Sequence, residues 1–424
     1  YFYPTSIMET GYDILFFWVA RMIMDGLEFT GEIPFHTVYL HGLIRDENGR
    51  KMSKTYGNVI DPLVVMDELG TDALRFTLLV GSTPGNDMNL SLKKVEANRN
   101  FANKIWNAAR FVLGALDQAK DLHVPLEETE PIPSLADQWI LARLSILTRD
   151  VERLFQNYQY GEAGRQIFDF FWNEFADWYL EIAKLQLTEG DRMASSTTRN
   201  LVQVLDTCLR LLHPFTPFVT EEIWGHLKTA SQELQQPINP GHGSEWEKAL
   251  IIARWPTPRP ASHWEDQAIA DFLLIMDLVR AIRNLRAEKN VNSKVSLPAT
   301  FVGGGRTPVL QRQSNTIASL ARLDLQRMTV VEKLGEKPDG TVALVVGSVE
   351  VYLPMAEMVD PEEQRKRLEK ELAESMGQIE RLEALLAGPF AEKAPSDVVD
   401  KERQKLVDYK DKAAKINSQL KTLE

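Results

Sequence analysis

Lys51, Met52, Ser53, Lys54 and Thr55 place two lysines three residues apart in a short polar stretch. Before it come an apolar strand, Thr37 to His41, and the turn Asp46-Glu47-Asn48-Gly49. Lysine carries a compact, strongly hydrated charge on a flexible stem, and Ser53 and Thr55 set hydroxyls beside it. A loop of this kind can hold phosphate oxygens. On spacing alone a lysine pair is more commonly just a solvated surface.

The flanking residues separate the two readings. Outward from the lysines run Val38-Tyr39-Leu40-His41-Gly42-Leu43-Ile44-Arg45-Asp46, Gly49-Arg50 and Tyr56-Gly57-Asn58-Val59-Ile60-Asp61-Pro62. This region resembles the Lys-Met-Ser-Lys-Ser signature of class I aminoacyl-tRNA synthetases. Thr55 stands where a serine is commoner and keeps the hydroxyl. The resemblance implies a loop that closes over the triphosphate of ATP, brought in with Mg2+, where Lys51, Ser53 and above all Lys54 meet its oxygens. Lys54 would stabilise the charge that builds on departing pyrophosphate, a task that needs positioned positive charge in a site excluding water. Glycines at 49 and 57 suit a loop that opens and shuts.

Upstream, Thr10 to Met22 reads as a glycine-started helix, apolar nearly all round and therefore expected to be buried. Ile14, Trp18 and Met22 fall at i, i+4 and i+8, on one face. As a pattern this is a core stripe. It is also similar to the segment of valyl-tRNA synthetases that walls the valine and adenylate pocket. That resemblance implies that Ile14 and Trp18 contact the valine side chain, that Asp13 accepts from the adenylate ribose hydroxyls, and that the backbone at His41, Gly42 and Leu43 faces the adenine. His41 fits an ordinary strand-end histidine equally well.

Positioning these residues takes a sheet, and the first 95 or so residues read as mixed α/β, with the lysine loop beyond a strand's carboxyl end, where such sheets hold ligands. From Lys93 the period turns helical. Asn100 to Leu116, Leu135 to Tyr158, Gly161 to Leu187 and Thr198 to His213 are long runs with short connections, which makes a bundle. Trp139, Phe168, Phe171, Trp172, Phe175, Trp178 and Tyr179 are its core by helical spacing. Lys104, Asn107 and Phe111 share one helix face and mix charge, amide and ring, as a grip on unstacked bases would. A solvated face gives the same composition. The stretch resembles the start of the anticodon-binding bundle of valyl-tRNA synthetases, which implies anticodon contacts at Lys104 and Phe111, then Lys93, Asn107 and Arg110.

Residues 231 to 263 are polar and rich in proline and glycine, hence a loop connection. Beyond it Glu265 to Glu288 is helical, and Val295 to Val302, Leu325 to Val331, Val342 to Val346 and Val349 to Leu353 read as strands of a small α/β module. Arg280, Arg283, Arg286 and Lys289 form a basic helix end that is either an RNA phosphate contact or, the preferred reading, solvated. In the tail, Leu368, Leu372, Ile379, Leu382 and Leu386, then Val399, Leu406, Tyr409, Ala413, Ile416, Leu420 and Leu423, form two heptad runs around Gly388-Pro389. They predict an antiparallel coiled-coil hairpin. This resembles the arm of valyl-tRNA synthetases that leans on the tRNA elbow, with Arg365, Lys366, Arg367 and Lys370 toward phosphate.

The expected architecture is thus multidomain and predominantly α. It comprises part of a Rossmann-type α/β catalytic domain (1–95), a helical anticodon-binding bundle (96–262), the α/β module (263–356) and the coiled-coil arm (357–424). The 424 residues suffice for roughly three domains of about 150. The formal charge of −12 argues against a generally basic nucleic-acid binder, so RNA contact has to come from local patches. Cys208 is the single cysteine, which rules out a disulfide framework or a multi-cysteine zinc site within this chain and suggests a reducing, cytoplasmic setting. No apolar run reaches the roughly 18 residues that would call for a membrane partner.

The chain begins at Tyr1 within an apolar pattern and reads as the C-terminal portion of something longer. Neither a His-Ile-Gly-His-type nucleotide motif nor an editing domain is recognisable. The resemblance implies valine, ATP and a valine-accepting tRNA as partners of a monomer, with the chain alone binding tRNA but not forming adenylate. Two other readings are kept open: a non-catalytic tRNA-binding or scaffold protein derived from a synthetase, and the isoleucine enzyme, which often ends in a cysteine-rich zinc module.

Overall fold

Strand β1 (Thr5–Gly11) pairs in parallel with β2 (Phe35–His41), Thr10 opposite Leu40 and Gly11 opposite His41. Parallel neighbours need a crossover. It is supplied by a tight turn over Tyr12–Ile14, a wide π-type turn over Leu15–Val19 and helix α1 (Ala20–Thr30), which Gly31 closes in the left-handed conformation. The structure, a computed structural model, describes residues 1–122, 134–234, 238, 246–358, 361–388 and 396–422, without the side chains of 361–367, 396–398, 419, 421 and 422.

The crossover departs from the sequence expectation. β1 continues to Gly11, so the helical part starts later, and the π-type turn breaks the regular spacing of Ile14, Trp18 and Met22. Ile14 and Trp18 are 44% and 53% exposed, and in this turn only Val19 is buried. Apolarity all round predicts burial only where neighbours exist on every side. Here the sheet has two strands, and the turn packs mainly on the elements that flank it in the chain, the Tyr12–Ile14 turn and α1.

Short strand β3 (Ile44–Arg45) pairs in parallel with β4 (Met88–Asn89). Between them lie the lysine loop, α2 (Pro62–Leu69) and α3 (Thr71–Val80). Asp61 caps α2, its Oδ1 accepting from Leu63 N, and Pro62 fills the first helical position, where no N–H is needed.

The bundle is α4 (Leu92–Ala119), α5 (Leu135–Gln156), α6 (Tyr160–Asp169), a second π-type stretch over Phe170–Tyr179, α7 (Leu180–Gln186), α8 (Asp191–Leu212) and α9 (Pro217–Gln232). Ser134 and Asp137 form a capping box at the start of α5. Of the seven aromatic residues expected in the core, Trp139, Phe171, Phe175, Trp178 and Tyr179 are buried, while Phe168 and Trp172 are half-buried, stack on each other and pack against the Phe101 ring. Cys208 is buried, and burial pushes its thiol far above the ordinary value, leaving an inert apolar group.

Contacts divide the chain into residues Tyr1–Phe272 and Leu273–Glu424, the division falling within α10 (Glu265–Glu288). The second unit holds β5 (Leu297–Val302), α11 (Thr307–Arg312), α12 (Ser314–Ala321), β6 (Leu323–Val331), β7 (Thr341–Val346) and β8 (Val349–Pro354). Its mixed sheet runs β6-β5-β8-β7. Arg286, expected in solvent, is buried, and its guanidinium donates to the carbonyls of Asn292, Val295 and Arg322. Arg283 likewise donates to the Leu320 carbonyl. Part of the basic helix end therefore staples the module.

Two further helices follow, α13 (Pro361–Ala387) and α14 (Ser396–Thr422), and they pack on each other. Leu368, Ile379, Leu382, Val399, Ala413 and Ile416 are buried. Ser375, which the heptad reading skips, is buried as well and donates to the Glu371 carbonyl.

Candidate functional site

The lysine loop hangs from a small hairpin. Arg45 bridges to Lys51, Asp46 N donates to the Arg50 carbonyl at 2.9 Å, and Gly49 N donates to the Asp46 carbonyl at 3.0 Å. Asp46 then works twice: Oδ1 accepts from Asn48 N and Arg50 N, and Oδ2 from the Asn58 side-chain amide at 2.9 Å. Asn58 in turn accepts Ser53 N on Oδ1 at 2.9 Å and donates to the Lys51 carbonyl at 3.3 Å. The Asn58 amide, followed by the N–H groups of Arg50 and Asn48, holds the Asp46 carboxyl below the usual carboxylate range.

Between these braces Lys54–Tyr56 makes a short helical turn, capped by Ser53 Oγ on Thr55 N and closed by Gly57 at φ 65. Only glycine adopts that conformation without strain. Met52 points the other way and packs on a core of Val65, Ala73, Leu74, Leu90 and Val95. One residue thus seats the loop while both lysines are exposed, Lys51 with its Nζ 3.7 Å from Asp13 Oδ2.

That ion pair brings the loop to the carboxyl ends of β1 and β2. A Cβ on Gly11 would meet Asp13 Oδ1 at 2.8 Å, His41 Cε1 at 3.5 Å and Leu43 Cδ2 at 3.7 Å, so these three side chains converge. His41 Nδ1 donates to the Gly42 carbonyl at 2.9 Å, which leaves Nε2 3.6 Å from Glu9 Oε1. At Gly42 any side chain is barred, since a Cβ would lie 1.6 Å from the Asn86 carbonyl oxygen. Asp87 locks that approach, accepting from Leu43 N at 2.7 Å, from Tyr12 Oη at 3.2 Å and from the Arg45 guanidinium. These bonds, Leu43 N first, hold its carboxyl below the usual range. A cavity of about 530 Å³ opens beside His41, Gly42 and Leu43, with Glu9, Tyr39 and Tyr160 among its lining.

Lys51, Asp13, His41, Gly42 and Leu43 therefore gather around one edge, with Ser53 and Lys54 following Lys51 in the same braced loop. Ile14 and Trp18 lie next to Asp13 in the chain but enclose no pocket by themselves. The five α4 residues sit apart from this edge. Lys93, Asn107 and Arg110 are exposed and Phe111 is half-buried. Lys104 is committed already, its Nζ 2.7 Å from Asp177 Oδ1 and 5.0 Å from the Trp172 ring. Lys370 is exposed on α13, whereas the side chains of Arg365, Lys366 and Arg367 lie outside the described residues.

Sequence reasoning missed Asp46, Asn58, Asp87 and the anchoring role of Met52. An aspartate opening an Asp-Glu-Asn-Gly turn, and an asparagine directly after a glycine, were the available signals for the first two. Asp87 had none. Among the described residues no group of three His, Cys, Asp or Glu is arranged to hold a metal ion, and no helix is long and apolar enough to cross a membrane.

Comparison with known proteins bears on this geometry. Residues 1–91 match the family of class I tRNA synthetases (I, L, M and V), residues 137–301 the anticodon-binding domain of tRNA ligase, and residues 360–424 the valyl tRNA synthetase tRNA binding arm. A valine–tRNA ligase of Dehalococcoides mccartyi is 45% identical over 422 residues, covering 98% of this chain and 46% of the relative. One from Bacillus subtilis is 42% identical over 420 residues, covering 96% of this chain and 44% of its own length. The chain thus spans about half the length of the curated relatives it matches. Among solved structures, a Mycobacterium tuberculosis methionyl-tRNA synthetase in complex with methionyl-adenylate superposes with a TM-score of 0.45 at 23% identity, over 52% of this chain and 44% of the other.

Proposed function

This chain belongs to the valyl-tRNA synthetases of class I, and we propose that it carries the pyrophosphate-handling loop, the anticodon contacts and the tRNA arm of an enzyme that joins valine to ATP and passes the valyl group to its tRNA. The supporting observation is the braced two-lysine loop itself, with Lys51 set beside Asp13 at the carboxyl ends of two parallel strands.

In this reading ATP enters as its magnesium complex. Its adenine lies against the backbone of His41, Gly42 and Leu43, and Asp13 accepts from the ribose hydroxyls. Asp13 then releases Lys51, a weak exchange because the pair is long and both partners are exposed. Lys51 and Lys54 act by charge rather than proton transfer, with Ser53 as a further phosphate contact. As the bond to the α-phosphorus breaks, negative charge grows on pyrophosphate, and a fixed ammonium stabilises that charge more than it stabilises bound ATP. Ile14 and Trp18 supply one wall of the valine site, the other walls belonging to the rest of the protein.

Residues 1–95 are then the second part of the catalytic domain, and 96–262 the anticodon bundle with Lys104, Phe111, Asn107, Arg110 and Lys93. Residues 263–356 form the small module, and 357–424 a coiled-coil arm that meets tRNA through Arg365, Lys366, Arg367 and Lys370. The Lys410–Glu383 ion pair at 2.6 Å, which joins α13 to α14, supports the hairpin.

Purified chain should bind valine-accepting tRNA in a filter or gel-shift assay and give no valine-dependent ATP–pyrophosphate exchange. The full-length protein should do both. Exchange by the chain alone, or its absence from the full-length protein, would refute the assignment.

A further inference from the structure

Helix α9 opens with an unmet need. The first N–H groups of a helix have no partner inside it, and the residue before the first turn usually supplies one. Thr216 stands there, but its hydroxyl donates backward to the Leu212 carbonyl and makes no cap. Pro217 has no N–H to satisfy. The next two groups, Phe218 N and Val219 N, reach across to Asp72 in the first turn of α3, at 3.4 Å to Oδ1 and 2.7 Å to Oδ2.

One turn on, Arg75 donates to the Pro214 carbonyl at 3.0 Å. A single turn of α3 thus grips both ends of the Pro214–Pro217 bend, and Phe76 packs edge-on against Phe215 between them. The other side of the same turn faces the loop. Ala73 and Leu74 belong to the core that seats Met52, and Val95 at the start of α4 completes it. Further along α3, Thr77 Oγ1 accepts from the Asn98 amide of α4 at 2.8 Å.

We propose that Asp72 is a positioning residue: by capping α9 from α3 it fixes the helical bundle against the core that seats Met52, so that an RNA held by the bundle is presented to the lysine loop in one orientation. The inference rests on the reading that the bundle holds tRNA and the loop handles ATP. It predicts a separation of steps. Valine activation needs the loop and its core, while transfer to tRNA also needs the bundle's orientation, where a displacement of about 1 Å can cost on the order of a hundredfold in rate.

The test uses full-length protein. Asp72→Ala should leave ATP–pyrophosphate exchange and tRNA affinity within about twofold of wild type while lowering kcat for tRNA charging by about tenfold or more, and Asp72→Asn, whose amide oxygen can still accept from Val219 N, should lose less. Helix stability is controlled by Asp72→Ala/Thr216→Asn, which gives α9 a local cap without the tether. Charging that stays low in this double variant supports positioning, and charging that recovers overturns it. Equal losses in exchange and charging, or none in charging, also overturn it. A wild-type protein that exchanges pyrophosphate yet never charges tRNA would bring down the underlying reading and the inference together.

Discussion

Two stretches of this chain have nearly the same chemistry and opposite fates. Leu15-Phe16-Phe17-Trp18-Val19 and Phe170 to Tyr179 are both aromatic-rich and both wind as wide π-type turns. Phe16 and Phe17 are 75% and 64% exposed, whereas Phe171 and Phe175 are fully buried. The difference lies in what surrounds them. Phe170–Tyr179 is enclosed by α4, α5, α6 and α7, and Leu15–Val19 has as its main neighbours only α1 and the Tyr12–Ile14 turn, the elements next to it in the chain. Hydrophobicity states an appetite for burial, and neighbours decide whether it is met. One stretch is committed to holding the molecule together, and the other stands free beside the site.

The sharpest break of that comparison is a matched pair of truncations. Phe175→Ala should lower unfolding free energy by about 3–5 kcal/mol, and Phe17→Ala should change it by less than about 0.5 kcal/mol. Urea unfolding followed by circular dichroism checks both, and similar losses would mean that Leu15–Val19 is buried in solution. The converse holds for function. Lys54→Ala in the full-length protein should leave the melting curve unchanged and slow ATP–pyrophosphate exchange by about a hundredfold or more, the scale for one charge-stabilising donor.

Asn58→Ala sits between these extremes. It strips the Asp46 carboxylate and Ser53 N–H of partners, so the loop should become sensitive to protease near Lys51 and Lys54, with a loss of about 1–3 kcal/mol confined to the loop. The gentlest probe is acid. The Asp46 carboxyl is depressed in the fold, so its contribution is present above the unfolded value of about 3.9 and disappears as pH falls through the lower folded value. Loop protection should therefore persist as ordinary carboxylates protonate and fail only below them. Loss near pH 6 in hydrogen exchange would contradict the Asp46–Asn58 brace.

What could be read from the chain beforehand follows the same division. α10 spans Glu265–Glu288 as its periodicity predicts, and the four strands of the second unit fall within two residues of their apolar runs. These are local patterns, and local patterns report secondary structure. The lysines and their hydroxyls were equally visible, being adjacent. Asp46 to Asn58, Leu43 to Asp87 and Asp72 to Val219 were not, because each joins residues that only the folded chain brings together. Exposure of Ile14 and Trp18 was misjudged for the same reason. A helical period says which residues share a face and nothing about what lies opposite.

The Ser53 cap and the Gly57 closure carry a consequence for affinity. A loose loop must be ordered when it clamps a ligand, at about 1–2 kcal/mol of backbone entropy per residue. Here Lys54–Tyr56 is wound already and tied at its base by Asn58, so the ammonium groups can swing as one preformed piece about a few flanking bonds. Most of the ordering cost has been met during folding, and more of the binding energy of the triphosphate remains for the reaction itself.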